Sequence, residues 1–152
     1  MEIRPVPAEQ LSEALSLCWN VFCQYNAPSY PSEGIGTFHA FLHPDKIGAQ
    51  CKTGFLQVYA AYQNGAMLGV LVLRGFSHIS LLFVEGCYQG QGVGYALVKH
   101  ALFLAKKAWR SSLSVCASPY ALPFYQRCGF EHIGPATIQN GILYTPMRRV
   151  LK

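Results

Sequence analysis

The segment 90–94, in which every second residue is glycine, constrains the fold of this chain more than any other sequence feature. It follows an apolar run at 79–84 that has the length of a strand buried on both faces. It precedes a segment, 93–108, whose apolar residues recur at the spacing of a helix. One glycine is enough for a tight turn, whereas three let a ligand approach the backbone at the start of a helix. Free N–H groups there favour a phosphate.

The common nucleotide motifs do not fit this turn. A dinucleotide fingerprint needs a glycine where Tyr95 stands, and the chain contains no Gly-Lys-Ser/Thr triplet of a nucleotide P-loop. The turn also follows the fourth predicted strand instead of the first. The sequence therefore predicts a phosphate ligand that is held neither by a Rossmann fingerprint nor by a P-loop.

The remaining elements follow from apolar periodicity and from turn residues. Asn64-Gly65 predicts a hairpin turn between the second and third strands. The predicted strands are 2–6, 55–62, 67–74, 78–84, 111–116, 130–134 and 142–150, and the predicted helices are 8–24, 32–42, 93–108 and 120–128. This order predicts one α/β domain, residues 1–152, with a mixed sheet covered by helices on both faces.

Composition narrows the class of protein. Apolar residues make up 51% of the 152 residues and charged residues 12%, which excludes a disordered chain and permits a homodimer that covers apolar surface. No apolar run reaches the length of a membrane helix, and the first residues do not resemble a signal peptide. We therefore expect a cytoplasmic protein without membrane association.

Cysteines and net charge point to no metal and no nucleic acid. The six cysteines include no Cys-x-x-Cys pair, so we expect free thiols and no metal site. The net charge of +5 contains no long basic run, which argues against a nucleic-acid partner. A mild positive field would still suit a polyanionic cofactor.

Two motifs carry a family resemblance. The stretch 84–97, with Gln89-x-x-Gly92-x-Gly94, resembles the cofactor-binding motif of the GCN5-related N-acetyltransferase (GNAT) superfamily. The stretch 121–130, which ends in Gly129-Phe130, is similar to the second signature of that superfamily. The order and separation of the two motifs also match.

The resemblance implies a single-domain GNAT fold, in which strands 4 and 5 splay apart and acetyl-CoA lies in the cleft with its diphosphate on the backbone of the glycine-rich turn. The superfamily often has asparagine in the segment where this chain has Cys116 and Ser118, and Gly86 replaces a frequent proline. The implied cofactor-binding residues are Leu82, Phe83, Val84, Gln89, Gly90, Gln91, Gly92, Val93, Gly94, Tyr95, Ser118, Phe124 and Tyr125.

Catalytic candidates follow from the same resemblance. Tyr125 stands where the superfamily commonly uses a tyrosine to protonate the departing sulfur, and a phenol keeps its proton at neutral pH. His78 stands where some members carry a glutamate or a histidine, and strict strand alternation would put it on the face of Val84. Glu85 is the reserve candidate for the base.

The expected activity is direct transfer of an acetyl group from acetyl-CoA to a primary amine of a small molecule or peptide in a ternary complex. Tyr25, Tyr30 and Glu33 are the candidate acceptor-binding residues, because the family builds its acceptor wall from the N-terminal helices. Two alternatives remain open. One is a catalytically silent module that senses acyl-CoA, and the other is a protein or aminoacyl-tRNA acetyltransferase.

Overall fold

The computed structural model describes all 152 residues, and an eight-stranded mixed sheet forms its central layer. The strand order is β1-β2-β3-β4-β5-β8-β6, and β7 pairs with β8. The strands are β1 (Glu2–Pro5), β2 (Leu56–Gln63), β3 (Ala66–Arg74), β4 (His78–Val84), β5 (Ser112–Ala117), β6 (Glu131–His132), β7 (Thr137–Gln139) and β8 (Ile142–Val150). The helices are α1 (Leu11–Val21), α2 (Ser32–Phe41), α3 (Pro44–Lys52), α4 (Val93–Lys107) and α5 (Leu122–Arg127).

Helices cover both faces of the sheet, as the sequence predicts. One apolar core packs α4 and α5 against one face, and a second packs α1 and α3 against the other. The seven inner residues of β3, from Met67 to Leu73, are all buried because this strand contributes to both cores. None of the helices combines the length and the apolar character that crossing a membrane requires.

Four local features differ from the sequence prediction. Helix α3 lies in a segment without apolar periodicity, and it is held by Pro44 in its first turn and by the buried Ile47. The first helix, predicted to end at residue 24, continues through a π-helical turn, Phe22–Asn26. The predicted strand 130–134 is reduced to the two residues of β6, and the unpredicted β7 forms a hairpin with β8.

Strands β4 and β5 are joined at one end only. Two parallel pairs connect them, His78 with Ser114 and Ile79 with Val115, and beyond these pairs the strands separate. The predicted splay of strands 4 and 5 is therefore confirmed. The separation leaves the far half of β4 with a partner, β3, on one edge only.

A β-bulge changes the direction of the side chains along β4. Leu81 pairs with Val72 and Ile79 pairs with Leu73, so Ser80 has no partner on β3. Ile79 packs in the core under α4 and α5, which we call the α4 core, whereas Leu81 packs in the core under α1 and α3, which we call the α1 core. The strict alternation predicted for this strand is therefore wrong at Ser80.

The imidazole of His78 lies at the joint between the two strands. Its Nδ1 is 2.8 Å from Oγ of Ser114, the residue that it pairs with on β5. Burial, and secondarily the positive charge of Arg74, lowers the pKa of His78 from 6.5 to about 4. The ring is therefore neutral at neutral pH.

This lowered pKa predicts how stability depends on pH. Between about pH 4 and 6.5 the unfolded chain binds more protons at His78 than the folded chain does. The contribution is fully present above pH 6.5 and is lost as the pH falls toward 4. We expect His78→Asn to reduce the slope of unfolding free energy against pH in this window. Summed over the window, the difference in unfolding free energy is on the order of 1 kcal/mol. Urea unfolding at several pH values measures the slope.

The matched control is His132→Asn, since His132 is exposed on β6. This variant should keep the wild-type slope. A His78→Asn protein with the wild-type slope would contradict the environment described for His78.

Candidate functional site

The turn before α4 has a backbone that favours glycine at two positions. Gly90 has a φ of 75° and Gly92 a φ of 87°, both in the left-handed region. A Cβ added at either position would meet nothing within 4 Å, so the space beside the turn is open. Gly92 is the N-cap residue of α4 and offers no side chain to bond the first amides.

The first amides of α4 lack acceptors within the helix. The amide of Ala96 donates to the carbonyl of Gly92 at 3.0 Å, so the amides of residues 92–95 precede the first intrahelical bond. No acidic residue occupies the first turn. Four free N–H groups and the positive end of a 15-residue helix therefore face outward with no anionic partner in the chain.

The two sequence motifs meet at Gly94. A Cβ at this position would lie 3.2 Å from the ring of Phe124 and 3.6 Å from a methyl group of Val84. The absence of a side chain at Gly94 therefore lets α5 approach the start of α4. The turn, the end of β4 and the second motif form one site.

Two cavities adjoin this site. The first lies between these elements, and we call it the glycine-turn cavity. It has a volume of about 570 Å³, and Arg127 is the one charged residue in its lining. Ten of the residues predicted to bind a cofactor line it: Leu82, Phe83, Val84, Gln89, Gly90, Gly92, Gly94, Tyr95, Phe124 and Tyr125.

The second cavity, which we call the aromatic cavity, has a volume of about 210 Å³ and lies between the splayed strands, the N-terminal helices and β8. Its lining includes Phe22, Tyr30, Phe38, Ile142 and Tyr144. The two cavities share the residues Asn26, Leu82, Phe83, Ala121 and Tyr125. They therefore meet at the open edge of β4.

Backbone groups of β4 point to this junction. The amide of Glu85 donates to the carbonyl of Leu68 on β3 at 2.9 Å. Because successive residues of a strand alternate in direction, the amides and carbonyls of Leu82 and Val84 point away from β3, toward the edge that β5 leaves open. The Nε2 of Gln89 donates to the Val84 carbonyl at 3.1 Å, and this hydrogen bond is consistent with the outward direction of the carbonyl.

The Tyr125 ring stands at the junction and is held by aromatic neighbours. Its centroid lies 5.2 Å from that of Phe124 and 5.4 Å from that of Phe130, both in edge-to-face geometry. The side chain lines both cavities although it is buried. Burial raises the pKa of Tyr125 above its usual value, so the hydroxyl is protonated at neutral pH.

Asn26 is a residue of the junction that the sequence analysis missed. It is buried, and its Nδ2 donates to the Oγ of Ser118 at 3.3 Å. The π-helical turn at the end of α1 places it there, and such turns often occur at functional sites. The one sequence signal is that a polar residue follows a helix of apolar periodicity. An asparagine in an exposed loop would give the same signal, so the sequence does not show that Asn26 is buried.

The other predicted residues lie at varied places. Tyr30 lines the aromatic cavity, and Ser118 lines that cavity instead of the glycine-turn cavity. Tyr25 stacks on Tyr120 with a centroid distance of 5.6 Å, and Tyr120 donates to the Oε1 of Gln89 at 2.9 Å.

Six predicted residues lie outside the lining of both cavities: Tyr25, Glu33, His78, Glu85, Gln91 and Val93. The side chain of Val93 is buried in the α4 core, which leaves its backbone amide for a ligand. Glu33 is exposed on α2. His78 lies at the joined end of the strands, away from the junction.

Comparisons with known proteins agree on the fold. A GCN5-related N-acetyltransferase from Rhodopseudomonas palustris, whose description also names a class-II aminotransferase, superposes with a TM-score of 0.86 at 25% identity and covers 99% of this chain and 95% of its own. The PaiA N-acetyltransferase of Thermoplasma acidophilum, solved in complex with coenzyme A, gives 0.82 at 16% identity over 99% of this chain and 98% of its own. Rv2747 of Mycobacterium tuberculosis, in complex with CoA and NLQ, gives 0.72 at 14% identity over the full length of both chains.

No curated protein matches the sequence. The family model described as "Acetyltransferase (GNAT) domain" matches residues 26–151, which include the glycine-rich turn, the splayed strands and the second motif. The chain therefore belongs to the GNAT acetyltransferase family.

Proposed function

We propose that this protein transfers an acetyl group from acetyl-CoA to a primary amine of a small molecule or peptide, within one ternary complex. One observation carries the proposal: two cavities meet at the open edge of β4, and the uncapped start of α4 borders one of them. A donor and an acceptor that enter from opposite sides would meet at Leu82, Phe83 and Tyr125.

Support for acetyl-CoA as the donor comes from the start of α4. The free amides of residues 92–95 and the helix dipole suit a diphosphate, and the open space at Gly90 and Gly92 gives it access to the backbone. Arg127 adds a positive charge to the same cavity. Two of the structural relatives described above were solved with coenzyme A.

The chemistry needs an electrophile, a nucleophile and a proton donor. Acetyl-CoA supplies a thioester, whose carbonyl oxygen the outward amides of β4 at Leu82 and Val84 would polarise. The amine nitrogen forms the new C–N bond as the C–S bond breaks. Tyr125 gives its proton to the departing sulfur and regains one from solvent, while the nitrogen releases a proton to water as the amide forms.

The amine must also lose a proton before it can attack the thioester. His78 and Glu85 lie outside both cavities, whereas 13 of the 16 residues that line the aromatic cavity are apolar. Because an apolar surrounding disfavours the charged form of an amine, its pKa falls on binding. We propose that the amine loses its proton to water and reacts in the neutral form.

The first test concerns the donor. Gly92→Asp puts a carboxylate beside the amides proposed to hold the diphosphate, and we expect it to weaken coenzyme A binding at least about tenfold, or ~1.4 kcal/mol. The control, Gly54→Asp, has a similar φ of 82° and equally open space, but lies beyond α3, outside the lining of both cavities. Isothermal titration calorimetry measures both. Equal affinities in the two variants, or no binding by the wild type, would refute the site.

The second test concerns the acid. Tyr125→Phe removes the hydroxyl and keeps the ring packing, so we expect kcat to fall about 100-fold or more while coenzyme A affinity changes little. Tyr59→Phe, at a half-buried tyrosine on β2 outside both cavities, is the control and should keep kcat. Thiol release measures turnover. An unchanged kcat in Tyr125→Phe would remove it from this role, and coenzyme A binding without any thiol release would favour the silent module.

A further inference from the structure

We propose that the acceptor is a small arylalkylamine, with one amino group and an aromatic ring that carries no charge. This inference rests on the proposed function and narrows it. Four features of the aromatic cavity carry it: the absence of charge in its lining, its stacked rings, the polar groups at its inner end, and its small volume.

No charged side chain lines the aromatic cavity. The seven carboxylates of the chain, among them Glu33 and Glu85, all lie outside the lining of both cavities. A polyamine or an aminosugar would bring further ammonium groups into this space without a counter-ion, and burial of an unpaired charge is costly. The cavity therefore selects against acceptors with more than one positive charge.

Aromatic rings form one wall of this cavity. Phe22 stacks on Phe38 with a centroid distance of 4.0 Å and an interplanar angle of 19°. Phe38 lies 5.7 Å from Phe83, and Phe22 lies 5.5 Å from Tyr30, both with tilted rings. Flat rings offer favourable offset and edge contacts to another ring, in addition to the gain from burying its apolar surface.

Three polar side chains lie at the inner end, where the aromatic cavity meets the glycine-turn cavity. Asn26, Ser118 and Tyr125 lie there. Since the Nδ2 of Asn26 donates to Ser118, its Oδ1 is left to accept a hydrogen bond from an amine. An acceptor with a polar nitrogen at one end and a ring at the other matches this arrangement, with the nitrogen toward the junction.

The tip of the β7–β8 hairpin rests on α2 beside the aromatic cavity. Thr37 Oγ1 donates to the carbonyl of Asn140 at 2.8 Å, and a Cβ at Gly34 would overlap the backbone of Gly141. The hydroxyl of Tyr30 also reaches the β8 carbonyl of Leu143, at 3.4 Å. An extended peptide, at about 3.3 Å for each residue, is long for a cavity of about 210 Å³. The small volume favours a small molecule over a peptide.

The test compares three acceptors with the wild-type protein and acetyl-CoA. They are 2-phenylethylamine, spermidine and a pentapeptide that begins with phenylalanine, and thiol release is measured. We expect kcat/KM for 2-phenylethylamine to exceed the other two values at least about 20-fold. A higher value for spermidine or the peptide would overturn the inference and leave the proposed function intact.

Two further outcomes separate this inference from the function on which it rests. Coenzyme A binding without transfer to 2-phenylethylamine overturns the inference alone. Neither coenzyme A binding nor thiol release with any amine overturns both.

Substitutions on the β7–β8 hairpin test whether the aromatic ring of the acceptor binds in the aromatic cavity. Ile142→Glu puts a carboxylate in the aromatic cavity, and we expect kcat/KM for 2-phenylethylamine to fall at least about tenfold. The ratio of kcat/KM for 2-phenylethylamine to kcat/KM for spermidine should fall by a larger factor. The control Ile138→Glu, at a residue that is 71% exposed on β7, should keep the wild-type values. Ile142→Trp, which fills the cavity without a charge, should give the same loss for 2-phenylethylamine. Coenzyme A affinity shows that each variant is folded, and wild-type kcat/KM in both Ile142 variants would contradict the proposal.

Discussion

The separation of β4 and β5 beyond their two shared pairs is the constraint on which the rest of the site depends. A strand edge without a neighbour leaves amides and carbonyls that need partners, and at Leu82 and Val84 these groups point into the space between the strands. Both cavities meet along this edge. A fully paired sheet would bond these groups and close the passage between the two sides.

The start of α4 supplies a second set of outward backbone groups, and its amides have no acceptor in the chain. Gly92 offers no side chain to cap the helix, and its left-handed φ turns the chain so that the amides of residues 92–95 face outward. Main-chain groups have no flexible side chain to order, which lowers the entropic cost of binding. The proposed site thus depends on two backbone surfaces, and the side chains of Tyr125 and Asn26 lie where these surfaces come together.

Patterns of local origin could be read from the sequence, whereas features set by tertiary packing could not. The apolar run of β4, the glycines before α4 and the Gly129-Phe130 pair each reflect backbone or burial requirements of adjacent residues. The order of the predicted elements gave the α/β class, and the resemblance of the two motifs to a known family implied the GNAT fold. The bulge at Ser80 has no such signal, because it depends on how β3 pairs with β4. Its consequence is large, since it moves His78 to the opposite face from Val84.

The main-chain claim is tested most directly by hydrogen exchange of single amides, followed by NMR with and without coenzyme A. The amides of residues 92–95 have no acceptor within the helix, so they should exchange rapidly in the free protein. Bound coenzyme A should slow them about tenfold or more, with no comparable change at the start of α1. Protection confined to other segments, with residues 92–95 still exchanging rapidly in the complex, would contradict the account.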